Sequence, residues 1–528
     1  MNGCKSQKGV CMVTYNSSLL CNTFAGIKRI NSSFTNSIIS ASDMQNVELF
    51  NTGINSGVGI RTMKGNQSVL TLDDKEEKII NIFSSVQKSE TYIFIHTETK
   101  TEGKIYLFNS ISSSLSLKVQ GLVVTGKSCG VDFSQGWLDL FLFTNGKNIL
   151  SIQIGNYDDN GENNEVKIFS PKDVDGRSVE GLGLVVFDGR LWIFNGTVLW
   201  YSVKENCYDF STEDTNIVTS AGYIEFAKNI TAIYPYLGSL AVFHKDSSCL
   251  VSVDSDSLYS KSDESPGGCA SFGAIVFHGT ELYFYDDTKK GVFSFSQIVT
   301  GDKTLSQNIA SDVQEELMNI DSSMLDNIKM LSVVMSDRNE IWFLLPTKDE
   351  YSTILIYDYI HNQWVKRKSQ RMIDFLVVNT VLYSVGNDKI YQEYVGENFD
   401  GEFISAFYNC SPLNLSADNT LKILYIPPRL TLDMDSSNDF YIKYIKNYDS
   451  LKVPKIKHIY SKFSKNLLYW DISNWDSSSV FKPKESNSIM KMPPSTFKTL
   501  VIQFYTSKLS QGFSIKNIEF SKIKVKQL

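Results

Sequence analysis

Histidine is scarce in this sequence, and the most common means of acid–base catalysis and metal binding is scarce with it. Only 5 histidines occur in 528 residues, and they are scattered over different parts of the chain (His96, His244, His278, His361 and His458). Few candidates therefore exist for imidazole catalysis or for a shared metal site. This scarcity argues against an active site built on histidine.

Cysteine is present without a recognisable pattern. The 8 cysteines are irregularly spaced, no Cys-x-x-Cys pair occurs, and no nearby histidine completes a zinc set around the three in the first 21 residues. We therefore predict reduced thiols with structural roles. Long apolar runs are absent too, and the chain does not start with a basic stretch followed by an apolar core. We expect no membrane-spanning segment, and synthesis in a cytoplasm without export through a signal peptide.

What the chain does contain is typical of a folded, β-rich protein. Hydrophobic residues make up 42% and charged residues 21%, a balance that excludes a disordered chain. Aromatic residues reach 12%, with 32 Phe and 26 Tyr, beside abundant Ile, Val, Ser and Asn. That composition favours strands and turns over helices. A length of 528 residues exceeds one ordinary core, so we expect two or three structural units.

The net charge of −7 is unevenly distributed. Residues 421–528 contain 18 Lys and Arg against 8 Asp and Glu, whereas residues 1–420 contain 33 against 50. The two parts carry +10 and −17, which suggests two surfaces with different neighbours. The basic part is rich in Lys at alternating strand positions, which favours a solvated strand face protected against edge pairing. Nucleic-acid binding is the alternative that this pattern favours less.

A strand–turn–strand unit recurs from Val69 to Tyr394, and its last two copies fill Ile341–Tyr394. A period of roughly 40–50 residues with two to four strands in each repeat is typical of a β-propeller. We predict an all-β fold with six or seven blades. A large β-sandwich is the main alternative, but its strands would not repeat as a hairpin unit. The equivalent strand starts are Tyr92, Leu138, Leu191, Leu240, Leu282, Ile341 and Leu382, at intervals of 46, 53, 49, 42, 59 and 41 residues.

Outside the repeats, two further regions are predicted. Residues 1–65 are expected to form an N-terminal docking segment that packs on the body, and residues 66–400 form the propeller. Residues 401–528 are expected to form a C-terminal β-sandwich-like domain with five long strands. A polar excursion, Tyr469–Thr496, separates those strands and is longer than most surface loops.

One helix is predicted in the longest interval between repeats, over Ser311–Ile328. Val313 and Leu317 lie on its apolar face, and the residues from Ser311 onward resemble an N-terminal cap. We expect this helix to be inserted between two blades and to lie over a face or side of the propeller.

Candidate chemistry is limited to carboxylates at predicted strand ends. Asp139, Asp188, Asp286 and Asp287 are candidates for glycoside cleavage at the propeller centre, which requires a pair about 5–10 Å apart. Aspartate is also common in turns, and this structural interpretation is favoured. The acidic run Tyr157–Glu165 resembles a calcium loop, but its glycine comes too early, so a solvated turn is favoured. We predict no catalytic residue, no cofactor and no metal site.

Two segments resemble parts of a known protein family. The stretch from Asp43-Met-Gln-Asn-Val to Gly-Val-Gly-Ile-Arg61 is similar to the "D-x-x-N-V … G-I-R" opening of tail proteins from short-tailed bacteriophages. The pair Ile356-Tyr-Asp-Tyr and Asn362-Gln-Trp-Val-Lys-Arg367 resembles the most recognisable strand pair of the same proteins.

Two more segments resemble the same family. Gly267-Gly-Cys-Ala-Ser-Phe-Gly, followed by Glu281-Leu-Tyr-Phe-Tyr, looks like one of its blades. The predicted helix, followed by Ser332-Val-Val-Met and Glu340-Ile-Trp-Phe, is similar to its inserted helix and next blade. The family is that of the tail nozzle proteins, also called tail tubular or tail stabilisation proteins. The resemblance covers most of residues 40–410 as a pattern of short motifs.

The resemblance implies a structural virion protein rather than an enzyme. It implies a ring of six copies that attaches to the portal–adaptor ring, extends the DNA exit channel and carries fibres or spikes. Genomic DNA would pass through that channel without sequence-specific binding. The location would be the phage tail, after synthesis in the cytoplasm of the bacterial host. A carbohydrate-binding or glycoside-cleaving propeller is the alternative function.

Overall fold

The structure is a computed structural model, and the chain separates into two compact units. The propeller unit contains residues 67–355 and 369–393, and the first unit contains residues 1–66, 356–368 and 394–528. The described N-terminal and C-terminal strands therefore belong to one unit. The residues described are 12–14, 19–28, 38–53, 57–135, 138–158, 161–212, 219–253, 259–295, 307–413, 421–424, 427–433, 438–447, 455–461, 485–489, 496–521 and 523–526.

The first unit begins with six strands in the described part of the N-terminal 62 residues. Several of these strands are short and lack their own core, so they pair with strands from elsewhere in the chain. The strands are β1 (Met12–Thr14), β2 (Leu19–Cys21), β3 (Thr23–Ile27), β4 (Ile38–Gln45), β5 (Val47–Asn51) and β6 (Val58–Thr62).

The propeller begins with three sheets of four antiparallel strands each. In each sheet the strands follow one another in sequence, because tight turns join neighbouring strands. Blade 1 contains β8 (Lys78–Gln87), β9 (Glu90–Glu98), β10 (Gly103–Asn109) and β11 (Ser114–Leu122); blade 2 contains β12 (Cys129–Gln135), β13 (Leu138–Thr144), β14 (Ile149–Asp158) and β15 (Gly161–Phe169); blade 3 contains β16 (Gly183–Phe187), β17 (Arg190–Asn195), β18 (Val198–Tyr201) and β19 (Gly222–Glu225).

Three further sheets continue the repeat, one of them with only three strands among the described residues. Blade 4 contains β20 (Ala232–Tyr236), β21 (Ser239–Phe243), β22 (Ser247–Val253) and β23 (Tyr259–Lys261), with β24 (Ser265–Pro266) beside β22; blade 5 contains β25 (Ile275–His278), β26 (Glu281–Asp286) and β27 (Gly291–Ser294); blade 6 contains β28 (Lys329–Met335), β29 (Arg338–Leu344), β30 (Tyr351–Asp358) and β31 (Gln363–Gln370).

The seventh blade joins strands from both ends of the propeller sequence. Its strand order is β32 (Asp374–Val378), β33 (Val381–Val385), β34 (Lys389–Glu393) and β7 (Asn66–Thr71), so the first strand of the region completes the last sheet. The innermost strands also close a circle, because β8 contacts both β12 and β32. The predicted propeller is confirmed, with seven blades in the described part of the chain.

The seven predicted strand starts each fall in the second strand of a blade, from Tyr92 in β9 to Leu382 in β33. The apolar residues of these strands fill the space between neighbouring blades. One core joins blades 2 and 3 around Leu142 and Leu191, and another joins blades 7 and 1 around Val385 and Ile95. The repeat therefore reflects how each sheet packs on the next.

The predicted helix over Ser311–Ile328 is wrong as a single element. A 3₁₀ turn (Ser311–Val313) leads into the short helix α1 (Gln314–Met318), and a second 3₁₀ turn (Ser322–Asn327) follows. The chain is extended at Asp321, whose carboxylate accepts a hydrogen bond from the Ser323 backbone N–H. The side chains of Asp and Ser compete with the helix for backbone hydrogen bonds in this way. A second turn therefore begins after the cap at Asp321. Ser311 makes no cap; Ala310 precedes the first turn.

The C-terminal strands of the first unit share a sheet with N-terminal ones, a pairing that the sequence pattern does not predict. β35 lies between β4 and β42, and β43 pairs with β2, β6 and β37. Of Tyr469–Thr496, residues 469–484 and 490–495 lie outside the described residues. The strands are β35 (Phe407–Cys410), β36 (Leu421–Leu424), β37 (Arg429–Asp433), β38 (Asn438–Lys446), β39 (Lys455–Ser461), β40 (Glu485–Ile489), β41 (Thr496–Phe497), β42 (Leu500–Tyr505), β43 (Ser514–Phe520) and β44 (Ile523–Lys526).

Candidate functional site: the central cavity of the propeller

A cavity of about 970 Å³ lies in the propeller unit, where the first strands of the blades begin. This central cavity is within the range of small-molecule sites, which is about 300–1,000 Å³. All seven blades contribute to it, so its residues come from widely separated parts of the sequence. Its lining includes residues 78–83, 126–130, 181–182, 230–231, 270–273, 329–330 and 371–374.

Two glycines of the cavity lining are required by close backbone approach. A Cβ atom at Gly181 would overlap the Phe194 carbonyl oxygen, and one at Gly273 would overlap the Ile328 carbonyl oxygen. Substitution at either position would push apart segments that line the cavity. This part of the lining is therefore built from tightly packed connections between blades.

The cavity lining carries more positive than negative side chains. Five cationic side chains line it against two carboxylates, Asp326 and Asp374. Lys127 Nζ lies 2.5 Å from Asp326 Oδ2, and Lys329 Nζ lies 3.7 Å from Asp374 Oδ1. The cationic residues are Lys78, Lys127, Lys147, Lys329 and Arg371.

Lys329 is held by a network that joins blades 6, 7 and 1 and the segment before blade 2. Its Nζ donates to Asn81 Oδ1 at 3.2 Å, and Asn81 Nδ2 in turn donates to the Ser128 carbonyl at 2.7 Å. Asp374, beside Lys329, accepts from the backbone N–H groups of Ile82 and Phe375 at 3.2 and 2.9 Å. Burial raises the pKa of the Asp374 carboxyl against the lowering effect of Lys329. The network fixes one cation in the cavity wall while leaving 25% of its side chain exposed.

The four aspartates predicted at strand ends do not line this cavity. Asp139 accepts from the Lys88 backbone N–H, and Asp188 pairs with Lys204 at 3.0 Å. Asp286 accepts from backbone N–H groups in its own turn, and Asp287 pairs with Lys290 at 2.5 Å. Each carboxylate therefore has a structural partner, and the structure does not bring the four together at the propeller centre.

Residues 121–128 match the Gly-x-x-x-x-Gly-Lys-Ser motif of phosphate-binding loops, although they lie within the strand repeats. The backbone amides of this segment are occupied: the N–H groups of Thr125 and Gly126 donate to the Glu98 carboxylate at 2.8 to 3.1 Å. Strand β12 follows it rather than a helix. A phosphate loop needs free amides at the start of a helix, so this segment does not form one.

The surroundings of His96, of His278 and of the described cysteines indicate structural roles. His96 Nδ1 lies 3.0 Å from Ser128 Oγ, and His278 Nδ1 lies 2.8 Å from Ser332 Oγ. The six described cysteines are buried and free, and burial raises the pKa of the Cys129 thiol to about 11. Within the described residues, no group of three or more His, Cys, Asp or Glu side chains is placed to hold a metal ion. The ends of the acidic run Tyr157–Glu165 belong to β14 and β15, and residues 159–160 lie outside the described residues.

The fold defines this chain as an all-β protein built on a seven-bladed propeller, and the comparisons with known proteins add little. No family model matches the sequence, and no curated protein matches it. One similar solved structure is a catalytically inactive virginiamycin B lyase from Staphylococcus aureus with quinupristin. It shares 12% identity at a TM-score of 0.39, over 62% of this chain and 98% of that chain. Values this low carry no argument about activity.

The cavity cations are the site residues that sequence analysis missed. Lys329 starts β28, Asp374 starts β32, and Lys78 starts β8, so each stands at the same place in its blade. Charged residues at the beginning of successive inner strands are the signal that would have identified them.

In the described part of the chain, no helix is long and apolar enough to cross a membrane.

Proposed function

We propose that this chain is a structural subunit of the tail of a short-tailed bacteriophage. In this role six copies form a ring, the tail nozzle, which attaches to the portal–adaptor ring. The ring extends the DNA exit channel and anchors fibres or spikes, and its location is the virion. The protein acts by assembly and not by catalysis.

One observation carries the proposal: two of the segments that resemble tail nozzle proteins pack together although about 300 residues separate them. Lys366 Nζ lies 2.6 Å from Asp43 Oδ1, and His361 Nε2 lies 3.2 Å from Asn51 Oδ1. Asn46 exchanges hydrogen bonds with the Lys368 backbone at 2.8 and 2.9 Å. The two motifs thus contact each other as parts of one structural site, which supports the proposal.

The charge distribution supports assembly into a ring. Closed rings use head-to-tail contacts in which each copy presents two unlike surfaces. The two parts of this chain carry +10 and −17, and oppositely charged surfaces speed and orient such contacts. A predominantly acidic protein also suits a channel for DNA, because few attractive phosphate contacts would hold the moving duplex.

The test is direct imaging of the assembly. The purified chain, alone and mixed with a candidate portal–adaptor ring, is examined by light scattering after gel filtration and by negative-stain electron microscopy. We expect six-fold rings with a central channel, stacked on the adaptor ring in the mixture. A protein that stays monomeric at micromolar concentration and joins neither adaptor nor particle would refute the proposal.

A further inference from the structure

Two cationic side chains of the central cavity do not stabilise the fold through polar contacts with described residues. Lys78 and Arg371 are exposed, and neither makes an ion pair or side-chain hydrogen bond with any described residue. By contrast, Lys127 and Lys147 pair with Asp326 and Glu180 at 2.5 and 2.6 Å. Lys78 and Arg371 are therefore the charges that an incoming anion would meet.

The same two cations come from neighbouring segments of blades 1 and 7. The Ile79 backbone N–H donates to the Asn387 carbonyl at 2.8 Å, and the Ile373 N–H donates to the Val385 carbonyl at 2.7 Å. The turn at 386–387 thus lies beside the segments that hold Lys78 and Arg371. Lys329 adds a third, fixed positive charge in the cavity wall.

The rest of the wall offers partly exposed aromatic rings and neutral polar groups. Phe83, Tyr234 and Phe272 line the cavity and are each half-buried. Ser271 is only 6% exposed, and its Oγ has no hydrogen-bond partner among the described residues. An unpaired buried hydroxyl costs free energy unless a ligand or water satisfies it. Aromatic faces with a few placed polar groups are typical of organic ligand sites rather than of bare anion sites.

We propose that the central cavity binds an acidic saccharide, a sugar chain that carries carboxylate groups. The guanidinium of Arg371 is the partner that best matches a carboxylate, since it donates two parallel hydrogen bonds. The aromatic rings contact the apolar faces of the sugar rings, and the cavity volume of about 970 Å³ accommodates a short oligosaccharide. This binding site does not depend on ring assembly, so it stands or falls separately from the tail nozzle.

The test measures binding of trigalacturonate to the full chain by isothermal titration calorimetry. Neutral maltotriose and inorganic tripolyphosphate serve as competing probes at the same ionic strength. We expect trigalacturonate to bind at least tenfold more tightly than either. Arg371→Gln and Lys78→Gln should each weaken trigalacturonate binding about tenfold, which is the usual value of one charge-assisted hydrogen bond.

Lys245→Gln is the matched control, because Lys245 is an exposed lysine of the same unit that does not line the cavity. Its affinity for trigalacturonate should equal that of the unmodified protein. No binding of trigalacturonate, equal binding of maltotriose, tighter binding of tripolyphosphate, or equal loss in Lys245→Gln and Arg371→Gln would each overturn the proposal. Since Lys78 and Arg371 are exposed, loss of folding does not obscure the result.

Discussion

At the scale of single residues, Asn46 ties the N-terminal strands of the first unit to the hairpin at 356–368. It is 1% exposed and has a φ of 54°, a left-handed conformation that asparagine tolerates better than most residues. Its side chain donates to the Lys368 and Ser405 carbonyls at 2.9 and 3.1 Å. One side chain thus joins three segments that are far apart in sequence.

We therefore expect Asn46→Ala to lower the free energy of unfolding by about 2–3 kcal/mol. The lost side-chain hydrogen bonds leave backbone groups unpaired, and alanine is strained at positive φ. Asn46→Gly loses the same hydrogen bonds without that strain and should be about 1 kcal/mol less destabilised. Urea denaturation followed by circular dichroism measures both variants. Equal stability of the alanine variant and the unmodified protein would contradict this account.

His96 makes stability depend on pH through burial. Its side chain is fully buried, its ring packs edge-on against Phe143 at 5.0 Å, and burial lowers its pKa from 6.5 to about 3. The Glu98 carboxylate lies 3.7 Å from Nε2 but already accepts hydrogen bonds from Gly126. Protonation of His96 is therefore disfavoured in the folded state.

The direction of the pH effect follows from the lowered pKa. Between pH 6.5 and about 3 the unfolded state holds a proton on this histidine that the folded state does not. The free energy of unfolding should fall as the pH drops through that window, by up to about 1.4 kcal/mol per pH unit. His96→Gln removes the titrating group. Between pH 6.5 and 5 the unmodified protein should therefore lose about 2 kcal/mol more than the variant.

Measurements at pH 8 separate packing from protonation in this experiment. There the ring is neutral in both states, so any difference between the two proteins reflects the substitution alone. Parallel pH profiles of the two proteins below pH 6.5 would show that His96 is protonated in the folded state.

At the scale of elements, β7 closes the propeller. It supplies the outer strand of blade 7 although the rest of that blade lies about 300 residues later in the chain. Leu70 of β7 belongs to the core shared by blades 7 and 1, together with Ile79 and Val385. The strand therefore couples the beginning of the propeller to its end.

Leu70→Ala should lower the free energy of unfolding by about 2–4 kcal/mol, because it removes buried methyl groups and leaves a cavity at the closure. Thr71→Ala, at the exposed neighbour in the same strand, should change it by less than about 0.5 kcal/mol. Amide hydrogen exchange of β8 and β32 gives a second measurement. Exchange that accelerates in neither strand would show that β7 does not hold the ring closed.

Local patterns explain which elements the sequence predicts. Each blade is a hairpin repeat with tight turns, so the seven strand starts from Tyr92 to Leu382 are readable from alternation and turn residues alone. The prediction of a single helix over Ser311–Ile328 is wrong because apolar spacing does not reveal the cap at Asp321, after which a second turn begins. The cavity charges are not recognisable in the sequence, because Lys78, Lys329 and Arg371 line one cavity only when the seven blades close into a circle.

At the scale of the whole molecule, pairing between distant strands is the part that sequence does not predict. β4 pairs with β35 in the register Tyr408 opposite Met44, across more than 360 residues. The Tyr408 hydroxyl lies 2.8 Å from the Ala25 carbonyl and 2.7 Å from the Ile39 carbonyl. No local pattern specifies such partners, because alternation in a strand identifies its buried face and not its neighbour.

This sharing predicts that the C-terminal strands depend on the N-terminal ones. A chain that starts at Asn66 loses β4 and β6, which leaves the edges of β35 and β43 without their partners. We expect rapid proteolysis of residues 394–528 in that chain, while residues 67–355 stay protected because their cores lie between blades. Adding a peptide of residues 1–65 in trans should restore protection, since the missing strands would pair again. Mass spectrometry of timed tryptic digests measures both effects. A truncated chain whose residues 394–528 resist trypsin as well as the full chain does would mean that the C-terminal strands form a complete sheet alone.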